Sequence, residues 1–170
     1  KIERKKLIVN PVFEQLFRDD LEQPRYYQVY GGRGSGKSFI ASIAAVQLTY
    51  STYGHNIMYL RATMTTIEDS SYKDVMDAIK FLGKQSDFKT IKNRIINKVT
   101  GAIISFKGIR STSGAKLKSL SGFTTVIIEE AMDVTSFEEF SEVDEGVRVK
   151  GKPLKIILLY NPGVAIGSWL

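Results

Sequence analysis

Between Tyr26 and Phe39 the chain reads YYQVYGGRGSGKSF. Glycine fills four of the six positions from Gly31 to Gly36, yet strand formers precede this loop and helix formers follow it. A flexible linker has no such frame. Gly31, four residues, then Gly36-Lys37-Ser38 satisfy G-x-x-x-x-G-K-[ST], the pattern of a phosphate-binding loop. Glycine permits positive φ and close backbone approach. Successive N–H groups can then turn inward around an anion, and the helix that follows adds partial positive charge at its N-terminus. Gly31, Gly32, Arg33, Gly34, Ser35, Gly36, Lys37 and Ser38 are therefore the candidates for binding ATP. Lys37 can reach the β- and γ-phosphates, and the Ser38 hydroxyl can ligate Mg²⁺. A dinucleotide fingerprint starting at Gly32 is excluded, because it needs glycine where Lys37 stands.

Such a loop needs a carboxylate for Mg²⁺ at the end of another buried strand. TTVIIEEA, Thr124 to Ala131, provides two. Glu129 takes the metal-side position and Glu130 the role of orienting and deprotonating the attacking water. The alternative is a helix N-terminus collecting acids for its dipole. Glutamate at 129 departs from the usual aspartate, and a longer carboxylate still ligates Mg²⁺. The pair resembles that of P-loop ATPases with an additional strand and a catalytic glutamate. NIMYLRA (Asn56–Ala62) is the candidate for that strand, between the nucleotide strand and the acidic one.

Other residues have two readings each. Asn161, in LLYNP, either touches the γ-phosphate or the water, or belongs to an ordinary Asn-Pro turn. Arg33 either bends onto the γ-phosphate or faces solvent. Arg61 either faces the same crevice or is a structural ion-pair partner. Arg25, Tyr26 and Tyr27 could border the adenine, with strand packing preferred. His55, the single histidine, reads as a turn residue.

The remaining pattern places these residues on an α/β frame. NPVFEQLF is a short helix with Asn10 as N-cap and Pro11 first. Strands are expected at Tyr26–Tyr30, Asn56–Ala62, Thr124–Glu130 and Leu154–Pro162, and helices at Ser38–Tyr50, Thr66–Leu82 and Thr135–Glu145. Gly83 closes the second helix, and Thr135 caps the third. TIKNRIINKVTGAIISFKGI reads as two strands turning near Thr100-Gly101. Strands apolar on both faces, alternating with helices, predict a mostly parallel sheet covered on both sides. No apolar run reaches the length of a membrane span, so a membrane is not an expected partner.

Net charge is +6, unevenly spread. Lys84 to Lys118 holds nine basic residues and one acid, Asp87, whereas Glu129 to Glu145 holds eight acids and no base. The basic stretch either follows a phosphate backbone or is a solvated hairpin and loop.

Taken together, YGGRGSGKS, FKGIRSTSGAKLKSLSGFTTVIIEEA and LLYNP resemble the large terminase subunits of tailed bacteriophages and prophages. The resemblance runs from about Arg25 to Pro162. It implies an ATP-driven motor that packages double-stranded DNA into a procapsid. Gly31–Ser38 would be the Walker A loop, Glu129 the metal-side acid, Glu130 the catalytic glutamate and Asn161 part of a coupling motif; Arg33 matches an arginine often found in this loop. Implied partners are double-stranded DNA, the portal protein, the small terminase subunit and other copies in a homo-oligomeric ring, with a monomer possible in isolation. The implied location is the host cytoplasm, transiently at the portal vertex, and not the mature virion. Residues 1–170 are expected to be the N-terminal ATPase domain, a fragment without the RNase H-like nuclease domain that follows in such proteins. The rival readings are a DNA-dependent recombinase or helicase ATPase, a small-molecule kinase, and a nucleotide-gated module that does not hydrolyse.

Overall fold

The computed structural model of the chain describes residues 7–62, 68–109, 120–134, 136–163 and 169–170. Among these residues, seven strands form one sheet: β1 (Tyr26–Tyr30), β2 (Ile57–Arg61), β3 (Phe88–Ile91), β4 (Arg94–Asn97), β5 (Ile103–Gly108), β6 (Thr125–Glu129) and β7 (Lys155–Tyr160). Their spatial order is β1-β7-β6-β2-β5-β4-β3. The first five are parallel neighbours, and β4 and β3 add an antiparallel ribbon at one edge. β2 and β6 are buried at every position, as expected of strands covered on both faces.

Three α-helices among the described residues complete the layers: α1 (Lys37–Leu48), α2 (Lys73–Phe81) and α3 (Phe137–Gly146). α1 and α2 pack on one face with Tyr27, Tyr59, Ile127 and Ile157; α3 packs on the other through Phe140 and Val143 against Val126, Ile128, Ile156 and Leu158. α1 is buried from Ala41 to Val46, which suits its small apolar run ASIAAV. α2 buries only Val75, Ala78 and Ile79 and turns its charges outward. It ends where expected: Gly83 has φ +64, with Gly83 N bonded to Lys80 O and Lys84 N to Ile79 O. The Pro11–Phe17 helix is a 3₁₀ helix, and the Asn10 side chain accepts from Val12 N as a cap should.

Several expectations need correcting. The strand between β1 and β6 is β7, not β2. Ile157 pairs with Tyr27 on one side and Ile127 on the other, while β2 lies beyond β6. Consecutive strands are usually neighbours, and apolar runs do not encode lateral order, so the pattern misled. The basic ribbon contains three strands, because Lys92-Asn93 makes a second tight turn and Lys92 adopts φ +51. The helix expected from Thr66 is regular only from Lys73; Glu68–Tyr72 form a π-helical turn before it. The cap of α3 is Ser136, which accepts from Glu139 N; Thr135 lies outside the described residues.

His55 is not a turn residue. It is fully buried, bonded through Nε2 to Asp19 Oδ1 at 2.7 Å and through Nδ1 to the Thr124 and Thr125 hydroxyls. Burial holds its pKa below the ordinary value although Asp19 pulls the other way. Arg25 and Tyr26 both bond Asp144 at the end of α3, and Arg25 also reaches the Asp144 and Val147 carbonyls. Tyr27 is buried. These three residues pack the strand at the end remote from the glycine loop.

Candidate nucleotide site

The parallel strands β1, β7, β6 and β2 finish side by side, and ligands gather at that edge of such sheets. β1 runs into Gly31, β7 into Asn161, β6 into Glu129-Glu130, and β2 ends at Arg61. A cavity of about 470 Å³ opens there. Arg33, Gly34, Ser35, Gly36, Lys37, Ser38, Arg61, Glu129, Glu130 and Asn161 all line it. Residues far apart in the sequence thus meet at one place.

The loop is closed by its own backbone. Gly31 N bonds Tyr160 O, and Ser35 N bonds Gly32 O. Gly34 and Gly36 take φ +76 and +80, and Gly36 stands at the start of α1. A Cβ on Gly31 would meet Ser35 Oγ at 3.1 Å, a tight contact that the serine hydroxyl would have to relieve by a few tenths of an ångström. Gly32 meets no such limit. The Lys37 ammonium donates to Gly31 O at 2.6 Å, Gly32 O at 3.0 Å, Ser35 Oγ at 3.2 Å and Asn161 Oδ1 at 3.1 Å. The Asn161 side chain therefore points at the loop lysine, beyond what an Asn-Pro turn alone requires. Arg33 is exposed at the cavity mouth.

The two glutamates have different surroundings. Glu129 is 5% exposed. Burial raises its carboxyl pKa; the Ser71 hydrogen bond, the Arg61 charge and the Ser38 hydroxyl act in the opposite sense. Its Oε2 accepts from Ser71 Oγ, and its buried Oε1 has no hydrogen-bond partner among the described residues. A buried carboxylate oxygen without a partner, beside a serine hydroxyl on a helix N-terminus, is a donor set that fits a hard divalent cation with water completing its shell.

Glu130 follows directly, with φ +50 and ψ +49. This left-handed geometry is uncommon outside glycine. It breaks the strand alternation and exposes the side chain to the cavity, where it forms an ion pair with Arg61. Arg61 is both things the sequence allowed: it faces the crevice and is an ion-pair partner. Its Nη1 also donates to Ser70 Oγ at 2.6 Å.

Ser70, Ser71 and Asp74 were missed by sequence reasoning. The π-helical turn delivers Ser70 to Arg61 and Ser71 to Glu129, and Asp74 lines the cavity one turn later. π-turns recur at functional sites, but two adjacent serines inside an apparent helix give no sign of one.

The family model described as phage terminase large subunit matches residues 23–170. No curated protein shows significant similarity. The large terminase of a thermophilic bacteriophage superposes with a TM-score of 0.66 at 12% identity, over 89% of this chain and 39% of that one. Another crystal form of the same terminase, in complex with ADP, gives 0.56 at 14% identity, over 89% and 34%. The large terminase ATPase domain of Thermus phage P74-26 gives 0.61 at 20% identity, over 93% and 67%. These structural likenesses establish a P-loop NTPase fold with a mostly parallel sheet, and the chain spans well under half of the thermophilic phage protein. By the family match over most of its length, the chain belongs to the phage terminase large subunit family.

Proposed function

We propose that the chain is the ATPase motor domain of a DNA-packaging terminase, hydrolysing ATP to drive double-stranded viral DNA into a procapsid. The observation that carries this reading is the convergence of Lys37, Ser38, Glu129, Glu130 and Asn161 on one cavity. In this reading the amides of Gly31–Ser38 cradle the polyphosphate, and Lys37 leaves the loop carbonyls for the β- and γ-oxygens. Ser38 and Glu129 would hold Mg²⁺, which supplies charge neutralisation on those oxygens when bound. Glu130 takes the proton of the attacking water, and Arg61 sets where that carboxylate rests beforehand. Asn161 senses the position of Lys37 and, through β7, couples nucleotide state to movement. Arg33, at the mouth, stabilises charge on the γ-phosphate. The ADP complex of the thermophilic phage terminase supports the choice of adenine nucleotide. A portal protein, a small terminase subunit and further copies in a ring are the partners this function needs, in the host cytoplasm and at the portal vertex.

The test is steady-state phosphate release with and without linear duplex DNA at low salt. Stimulation by duplex over single strands supports the packaging motor. Preference for single strands favours a recombinase or helicase ATPase. Nucleotide binding without turnover in any condition, including the full-length protein on a portal, refutes the motor reading.

A further inference from the structure

The second face of the antiparallel ribbon carries a cationic groove that shares no lining residue with the nucleotide cavity. Paired residues on neighbouring strands project to the same face, as do residues two apart on one strand. Ile91 pairs with Arg94, Arg94 with Ser105, and Ser105 with Met58, while Lys107 pairs with Leu60. Lys89, Arg94, Ser105 and Lys107 therefore share the face of Met58 and Leu60, opposite the one where Ile95 and Ile104 pack beneath α1 and α2. A groove of about 660 Å³ opens there, lined by Lys92, Arg94, Ser105 and Lys107 over a floor of Met58 and Phe123.

Two features point to a ligand. Ser105 is 5% exposed, and its Oγ, which lines the groove, has no hydrogen-bond partner among the described residues. Residues 84–107 also hold six bases against one acid, Asp87, so the ribbon is strongly cationic. A lysine on the edge strand β3 is explained by protection against edge pairing. That explanation does not reach Arg94 and Lys107, which stand on the interior strands β4 and β5.

We propose that this groove binds the phosphodiester backbone of duplex DNA, with Arg94, Lys107 and Lys92 neutralising phosphates and the Ser105 hydroxyl donating to one. The proposal rests on the motor reading for its choice of polyanion. The contacts are to phosphate and carry no base specificity.

The test is anisotropy of a labelled duplex with the chain between about 50 and 200 mM salt. Each lost phosphate contact makes the log–log salt slope shallower by about 0.9. Arg94→Gln/Lys107→Gln should flatten it by about 2, so that wild type loses roughly tenfold more affinity than the variant across that range. Lys80→Gln/Lys150→Gln removes equal charge elsewhere and should leave the slope. Lys89→Gln/Lys92→Gln, on the exposed hairpin, should also flatten it and serves if the first pair fails to fold by circular dichroism. Equal effects of groove and control pairs overturn the proposal. So does an association between copies that the groove variants abolish. Wild type that hydrolyses ATP but binds no duplex overturns the groove and leaves the nucleotide site standing. Wild type without nucleotide binding sinks the motor reading as well.

Discussion

Glu130→Gln should separate binding from turnover at this site. Glutamine keeps the length of the side chain and the same left-handed backbone cost at φ +50. It removes the negative charge and with it the ion pair to Arg61. The Glu130 side chain is 54% exposed, so water already screens that pair, and its loss costs about 1 kcal/mol or less. Arg61 keeps its bond to Ser70, and the loop, Lys37, Ser38 and Glu129 are untouched. Binding should therefore change by no more than a few fold. Turnover should not survive. A positioned general base contributes ~10²–10⁴ in rate, or about 2.7–5.5 kcal/mol of barrier. The assay is phosphate release in the presence of linear duplex, paired with titration of a fluorescent ATP analogue. Turnover within about threefold of wild type would refute the assignment of Glu130 as base, because no general-base contribution would remain to be lost. A collapse of binding and turnover together would instead make Glu130 a structural support for Arg61.

Two further outcomes follow from the geometry. Gly36→Ala meets nothing within 4 Å, so its cost is the left-handed backbone alone, about 1–2 kcal/mol; denaturant unfolding should show that loss and nucleotide titration a weakened affinity, and an unchanged affinity would mean the loop does not need this conformation. Lys155 is fully buried against the Leu16 and Arg18 carbonyls, and burial pushes its pKa down to about 8 from 10.5. The folded state thus releases a proton that the unfolded state keeps between those values, so stability should rise with pH above about 8, by up to about 1.4 kcal/mol per unit. Buried Tyr59 and the Tyr50 hydroxyl bonded to Asp87, both raised above the ordinary tyrosine value, reverse the trend above about pH 10. Denaturant unfolding from pH 8 to 10 should show the rise in wild type and not in Lys155→Met; equal slopes would refute the burial argument.

The loop and the acidic pair were legible because their chemistry is local. Gly31 to Ser38 need particular φ values and particular donors at fixed spacing, and Glu129-Glu130 terminate an apolar run. Gly83 was legible for the same reason, since a helix stop is written in the adjacent residue. What failed was lateral. Nothing in NIMYLRA or LKIILLY says which one lies beside β1, because both are apolar on both faces. His55 looked like part of a turn because its partners, Asp19, Thr124 and Thr125, lie 36 to 70 residues away. Ser70 and Ser71 gained their roles only when the π-helical turn set them against Arg61 and Glu129.

The corrected strand order changes the argument about coupling. With β2 in the middle, Arg61 would stand between the loop and the acids, and Asn161 would sit to one side. With β7 there, Asn161 occupies the gap, bonded to Lys37, while Arg61 approaches Glu130 from the far side. Lys37 and Glu130 then each have a polar partner on a different strand. A lysine that moves toward a phosphate must break its bond to Asn161, and Asn161 continues directly into β7. β7 is tied at its other end by Lys155 to the Leu16 and Arg18 carbonyls. On the motor reading proposed above, a change at the loop would therefore enter β7, an interior strand of the parallel sheet, rather than its rim.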